Sequence, residues 1–253
     1  MLSKNQIKEI QQLHLKKNRD AKKIFLAEGV KTVMELIEND PRRITGLFAT
    51  NNFLEKNKTL LVKNKVPYTE ISEDELKKIS LQSSPNSALA TCSYFEKTES
   101  SFDFQNHFAF YLDDVRDPGN FGTIMRLSAW FGMDTVFCSP SSCDVYNPKV
   151  IQSAMGAFLR VKVVYTELEE LVNKQKIKTI YGALLNGKNL YQEKLRNGLI
   201  IIGNEANGIG QENLKLITHP ITIPAYEYNS TESLNAAMAS AIIASEFFRQ
   251  KKQ

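Results

Sequence analysis

Leu199–Gly210 reads LIIIGNEANGIG. Four apolar residues, three of them β-branched, make a strand covered on both faces, and the chain then breaks into a polar loop holding Gly203, Asn204, Glu205, Asn207, Gly208 and Gly210. In open α/β sheets, ligands gather beyond the carboxyl ends of such strands. Glycine lets main-chain amides approach a ligand closely, so the composition fits a loop that binds through its backbone. A tight turn with a solvated Glu is the plainer alternative.

Outward from this stretch, strands and helices alternate. Upstream run HFAFYLDDV, the helix FGTIMRLSAWFG, the strand DTVFCSP, the helix NPKVIQSAMGAF with Pro148 in its first turn, then RVKVVY, LEELVNKQK and TIYGALL. Downstream come QENLKLI, ITIPA and a last helix beginning near Ser233. Residues 93–107, SYFEKTESSFDFQNH, lose the periodicity and read as a linker between a domain at 1–92 and one at 108–253. The first domain alternates too: IFLAE, VKTVMELIEND, ITGLFAT, NFLEKNKTLLVKN, YTEIS, EDELKKISL and SALATCSY predict a small α/β domain with a largely parallel sheet. Ahead of it, Ser3 and Gln6 form a capping box for an amphipathic helix.

Composition narrows the function classes. The 253 residues are 42% hydrophobic and 24% charged, as in a soluble globular protein, and no apolar run approaches the roughly 20 residues that cross a bilayer. MLSKNQIKEIQQLHLKK lacks the apolar core of a signal peptide, so a cytoplasmic location is expected. Cys92, Cys138 and Cys143 have no CxxC spacing, and His14, His107 and His219 stand far apart, which argues against a disulfide framework and a metal site. Residues 1–65 carry 14 Lys and Arg against 7 Asp and Glu, a charge of +7, while the remainder carries −3. A basic N-terminal part predicts a polyanionic partner, with a solvated helix surface as the alternative.

Three loops, each following a strand and preceding a helix, hold the polar residues where chemistry could sit. In DDVRDPGNFGTIMR, Asn120 stands at a helix start and Arg126 six residues on, in an otherwise apolar helix. Taken singly, they read as an N-cap and a snorkelling side chain. The second loop is GNEANGIG. In IPAYEYNSTESLNAAMASAIIASEFF, Ser233 is the predicted cap, which leaves Asn235 in the first turn unexplained.

Together the loops resemble the SpoU (TrmH-type) RNA ribose 2′-O-methyltransferases of the SPOUT superfamily. Asn120, Gly122 and Arg126 match the family's N-x-G-x-x-x-R; Gly203, Glu205 and Gly208 match G-x-E-x-x-G; Ile223, Pro224, Ser233, Leu234 and Asn235 match I-P…S-L-N. FLAEGVKTVMEL and SSPNSALA are similar to the substrate-binding domain of many members. The chain departs from the pattern between Pro224 and Ser233, about two residues longer than usual, with Tyr226, Glu227 and Tyr228 where a glycine is expected, and at Ala236 in place of Val.

The resemblance implies a C-terminal α/β-knot (trefoil) methyltransferase domain, a homodimer, and S-adenosylmethionine as cofactor, with no metal. It places Asn120, Arg126, Glu205, Ser233 and Asn235 in catalysis, and Gly203, Asn204, Glu205, Gly208, Ile223, Ser233 and Leu234 at the cofactor. The implied reaction moves a methyl group to a ribose 2′-hydroxyl of RNA, ribosomal RNA being favoured over tRNA; a non-catalytic RNA-binding or assembly protein on the same fold is the alternative. The resemblance implies that Arg126 is the residue proposed in the family to activate the hydroxyl. Because a guanidinium has a pKa above about 12, phosphate binding and stabilisation of alkoxide charge suit it better than general-base action, which stays the alternative. A nicotinamide-dependent Rossmann enzyme is disfavoured, since GNEANGIG is not GxGxxG.

Overall fold

Ser3 and Gln6 start the first helix reciprocally: Gln6 N–H donates to Ser3 Oγ at 3.2 Å, and Ser3 N–H donates to Gln6 Oε1 at 2.9 Å. The computed structural model describes residues 1–85, 87–96, 102–226 and 232–251. It divides into two compact units, Met1–Thr98 with Asp144–Leu159, and Glu99–Cys143 with Arg160–Gln253.

In the first unit the chain runs α1 (Lys4–Gln12), α2 (Lys16–Lys22), β1 (Ile24–Glu28), α3 (Val30–Asn39), β2 (Ile44–Ala49), α4 (Asn51–Lys63), β3 (Tyr68–Glu70), α5 (Glu73–Ile79) and β4 (Ala88–Ser93). The strand order is β1-β4-β2-β3. β2 and β3 are parallel, but β4 runs antiparallel to both β1 and β2, so the sheet is mixed where a largely parallel one was expected. The reason lies at the carboxyl end of β1. Buried Glu28 accepts from Ser80 Oγ and, at 3.2 Å, from Leu81 N–H, so the chain leaving α5 is held at that end and enters β4 from it. Ala88 accordingly pairs with Ala49, and Leu89 with Glu28, at the ends of β2 and β1. Leu2, Ile10, Leu13, Leu26, Ile71, Leu76, Ile79 and Leu89 form a core on one side of this sheet.

The second unit begins with β5 (Ala109–Leu112), α6 (Pro118–Trp130) and β6 (Thr135–Cys138). The chain then supplies α7 (Pro148–Ala154), capped by Asn147, which accepts from Lys149 N–H at 2.9 Å. α7 and its flanks cluster with the first unit, where they cover β1: the Phe25 ring lies 5.2 Å from that of Tyr146 and 5.9 Å from that of Phe158, and Tyr94 stacks on Tyr146 at 3.6 Å. Arg19, only 2% exposed, donates to Asp144 at 2.6 Å and to the carbonyls of Leu13 and His14 at 3.0 and 2.8 Å, which makes its burial tolerable.

The second unit resumes with β7 (Lys162–Tyr165), α8 (Leu168–Gln175), β8 (Ile180–Asn189), β9 (Leu199–Ile202), α9 (Gln211–Leu214), β10 (His219–Thr222) and α10 (Ala236–Lys251). All six strands are parallel, in the order β10-β8-β9-β5-β6-β7. β5 and β9 are buried along their whole length, as the unbroken apolar run of LIII requires. From β5 the chain builds outward through β6 and β7, then crosses to the other side of β5. The strand order therefore reverses between β5 and β9, the place where α/β sheets hold ligands beyond their carboxyl ends. α10 closes the unit: Phe247 packs at 5.2 Å from Phe108 and 4.9 Å from Tyr181.

Candidate active site

Two aspartates end β5. Asp113 is buried, continues the ladder to Ile202 O at 2.8 Å, and accepts from Gly210 N–H at 2.8 Å. Asp114 has φ +56°, in the left-handed region that non-glycine residues seldom occupy. Its N–H donates to Ser139 Oγ at 2.9 Å, and its carbonyl accepts from Asn204 Nδ2 at 2.8 Å. The first loop is thereby fastened to both ends of the second. Asp117 caps α6 by accepting from Asn120 N–H at 2.7 Å, with Pro118 in the first turn. The cap is therefore Asp117, and the Asn120 side chain is left available.

The second loop closes on itself. Asn204 and Gly208 exchange backbone hydrogen bonds of 2.9 and 3.0 Å, while Asn204 Oδ1 accepts from Ala206 and Asn207 N–H at 2.9 and 3.0 Å. Glycine is required at Gly203, where a Cβ would stand 2.3 Å from the Gly208 carbonyl carbon, and is favoured at Gly208 by its φ of +68°. Glu205 is lifted at the exposed tip.

Glu205 meets the other two loops through one chain of hydrogen bonds. Asn120 Nδ2 donates to Glu205 Oε1 at 2.9 Å, and Asn235 Nδ2 donates to Asn120 Oδ1 at 2.9 Å. Asn235 Oδ1 accepts from Ala237 and Met238 N–H at 3.0 and 3.2 Å, so Asn235, not Ser233, caps α10. The direction of the chain is forced. The N–H groups at the helix start only donate, so Asn235 must turn its oxygen to them and its NH2 to Asn120. Asn120 must then turn its oxygen to Asn235 and its NH2 to Glu205.

Residues 120, 205 and 235 are thus brought together. Arg126 stands exposed on α6, six residues beyond Asn120. Ile223 is half-buried just past β10; Ser233 and Leu234 are exposed just ahead of α10. In the long third loop Tyr226 is exposed, while Glu227, Tyr228 and Asn229 lie outside the described residues. Asp113, Asp114 and Ser139 have structural roles that motif reading missed; their signal was a pair of carboxylates directly after a buried strand.

Burial pushes the Cys138 thiol well up, which makes it unreactive, and burial followed by the Asp113 carboxylate pushes the Tyr111 phenol up. Among the described residues, no three His, Cys, Asp or Glu side chains gather to hold a metal ion, and no helix is long and apolar enough to cross a membrane. The polar groups at the site are amides, carboxylates and guanidinium groups, suited to orienting a substrate and meeting charge.

Known proteins are similar to this chain in sequence and fold. The 23S rRNA (guanosine(2553)-2′-O)-methyltransferase RlmP of Bacillus subtilis is 28% identical over 249 residues, 95% of each chain. A TrmH-family structure from Porphyromonas gingivalis has a TM-score of 0.85 at 34% identity, covering 99% of both chains. The SpoU methyltransferase AviRb from Streptomyces viridochromogenes, solved with AdoMet, has the same fold, with a TM-score of 0.82 at 20% identity over 100% of this chain and 99% of that one. Residues 4–90 match the MRM3-like substrate binding domain. Residues 107–245, more than half of the chain, match the remaining signature, and the protein belongs to the SpoU rRNA Methylase family.

Proposed function

We propose that the protein transfers a methyl group from S-adenosylmethionine to a ribose 2′-hydroxyl of ribosomal RNA. The observation that carries this reading is the hydrogen-bonded chain Glu205–Asn120–Asn235, which holds three loops in one arrangement beside the switch point of a parallel sheet. The activity named for RlmP supports the choice of ribosomal RNA.

The cofactor fits the second and third loops. At Gly208 the place of a Cβ is empty to 4 Å, so the loop offers bare backbone there. Gly203, Glu205, Gly208, Ile223, Ser233 and Leu234 would hold S-adenosylmethionine. Asn204, whose side chain and backbone are already engaged, would contribute by shaping the loop. Bound there, the cofactor supplies an electrophilic methyl group. Arg126 binds the phosphate next to the target ribose and meets the negative charge growing on its 2′-oxygen, a role that needs no deprotonation of the guanidinium. Asn120 and Glu205 orient the ribose, and Asn235 ties them to α10.

Residues 1–92 bind RNA, 93–107 link, and 108–253 carry the catalytic site; the basic charge of the first part and the match to a substrate-binding domain support this division. The working form is a cytoplasmic homodimer. Exposed apolar side chains, Trp130 (82% exposed) at the end of α6 and Leu234 and Met238 around the start of α10, support it. The C-terminal part is read as a trefoil knot on the strength of its match to the family. Mapping 2′-O-methyl sites in total RNA from cells with and without the protein tests the function: a ribosomal position should lose its mark, whereas loss in tRNA alone, or no loss, would contradict it.

A further inference from the structure

Arg116 stands in the first loop between Asp114 and Asp117, and the role proposed above leaves it unused. Its side chain is 69% exposed, yet it is anchored: Nε donates to Asp114 Oδ1 at 2.9 Å. The anchor itself is fixed. Asp114 is held by Ser139 through its N–H at 2.9 Å, and its carbonyl and Oδ2 accept from Asn204 Nδ2 at 2.8 and 3.3 Å. A guanidinium carries five N–H donors, and in Arg116 the four on Nη1 and Nη2 reach no protein acceptor among the described residues. An arginine pinned by Nε keeps its plane and presents the paired Nη groups, the fork that binds an anionic oxygen pair bidentately.

The charge around it gives this fork a purpose. The first two loops carry Asp113, Asp114, Asp117 and Glu205, against Arg116 and, on α6, Arg126. A polyanion approaches such a surface only where cations meet its phosphates. We propose that Arg116 grips a backbone phosphate of the RNA strand flanking the target nucleotide, fixing which ribose reaches Arg126 while taking no part in the chemistry. This rests on the reading of the site as an RNA 2′-O-methyltransferase.

An exposed ion pair adds little to stability, so Arg116→Ala and Arg116→Lys should fold like the parent. The test uses the full-length protein with ribosomal RNA purified from cells lacking it. Filter binding of this RNA across a salt series is read beside methyl transfer from labelled S-adenosylmethionine. Arg116→Ala is expected to raise the RNA Kd and KM about tenfold, to lower the slope of log Kd against log salt by roughly 0.7 to 0.9, and to leave kcat within about twofold, with cofactor binding by calorimetry unchanged. Arg116→Lys restores the slope, because the charge is back, but only part of the affinity, because the fork is not. An unchanged Kd and slope, or a fall in kcat at unchanged KM, would overturn the assignment. If the parent binds the RNA without methylating it, the enzymatic reading fails, while the salt slope still decides for or against the phosphate contact.

Discussion

Two buried strands in this chain end in a glutamate and glycines, IFLAEG at the end of β1 and LIIIGNEANG at the end of β9. Their fates differ. Glu28 is buried and bonds Ser80 and Leu81, where it sets the direction in which β4 enters the sheet. Glu205 is exposed, and its bond to Asn120 connects it to a second loop and, through Asn235, to a third. One carboxylate is consumed by the fold; the other is held out by it. What separates them is the loop: Gly203 and Gly208 allow a closed turn that raises Glu205, whereas Glu28 is the last residue of its strand and cannot leave the interior.

The contrast can be broken most sharply beside the second glutamate. Arg126→Ala should lower methyl transfer from labelled cofactor by about 10³-fold while calorimetry still finds cofactor binding, since the charge at the reacting oxygen is lost and the cofactor loops are intact. Glu205→Gln should cost about 10²-fold in kcat with an unchanged melting temperature, because a glutamine can turn its own NH2 to Asn120 and break the chain. Glu28→Ala should do the opposite: it should lower stability by about 1 to 3 kcal/mol in denaturant titration, as Ser80 and Leu81 lose their acceptor, while kcat per folded molecule holds.

The smallest effect is one of pH. Burial holds the His14 pKa below its ordinary 6.5, with the Glu28 charge opposing the shift. A lowered histidine binds its proton more weakly folded than unfolded, so its contribution is complete above pH 6.5 and is lost as pH falls through the folded value. Stability should therefore decline mildly below that point, and more in Glu28→Gln, where the opposing charge is gone. A flat profile in both proteins would remove His14 from the account.

Much of this was legible in the sequence, for local reasons. Capping by Ser3 depends on neighbours within three residues, and the apolar runs of β5 and β9 announce burial by themselves. The three loops could be matched as patterns, and the structure joins Asn120, Glu205 and Asn235. What could not be read depends on distant partners. β4 runs antiparallel because of a bond between residues 28 and 80, and Asp144–Leu159 clusters with the N-terminal unit because Arg19 and Phe25 need Asp144, Tyr146 and Phe158. Ser233 carries the local signal for the cap of the last helix, but Asn235 takes that place because Asn120 occupies its amide nitrogen and turns its oxygen to the helix. The buried Asp113 and the left-handed Asp114 showed only as a pair of carboxylates after a strand.

Glu205, Asn120 and Asn235 are read as one unit that joins the loops for methyl transfer. A double-mutant cycle on kcat, with Glu205→Gln, Asn120→Ala and the pair of substitutions together, tests it most directly. If Glu205 and Asn120 work as parts of one unit, the double variant should be no slower than the slower single variant, because the first break already frees the chain. Losses that multiply, each substitution costing its full factor in the presence of the other, would contradict it.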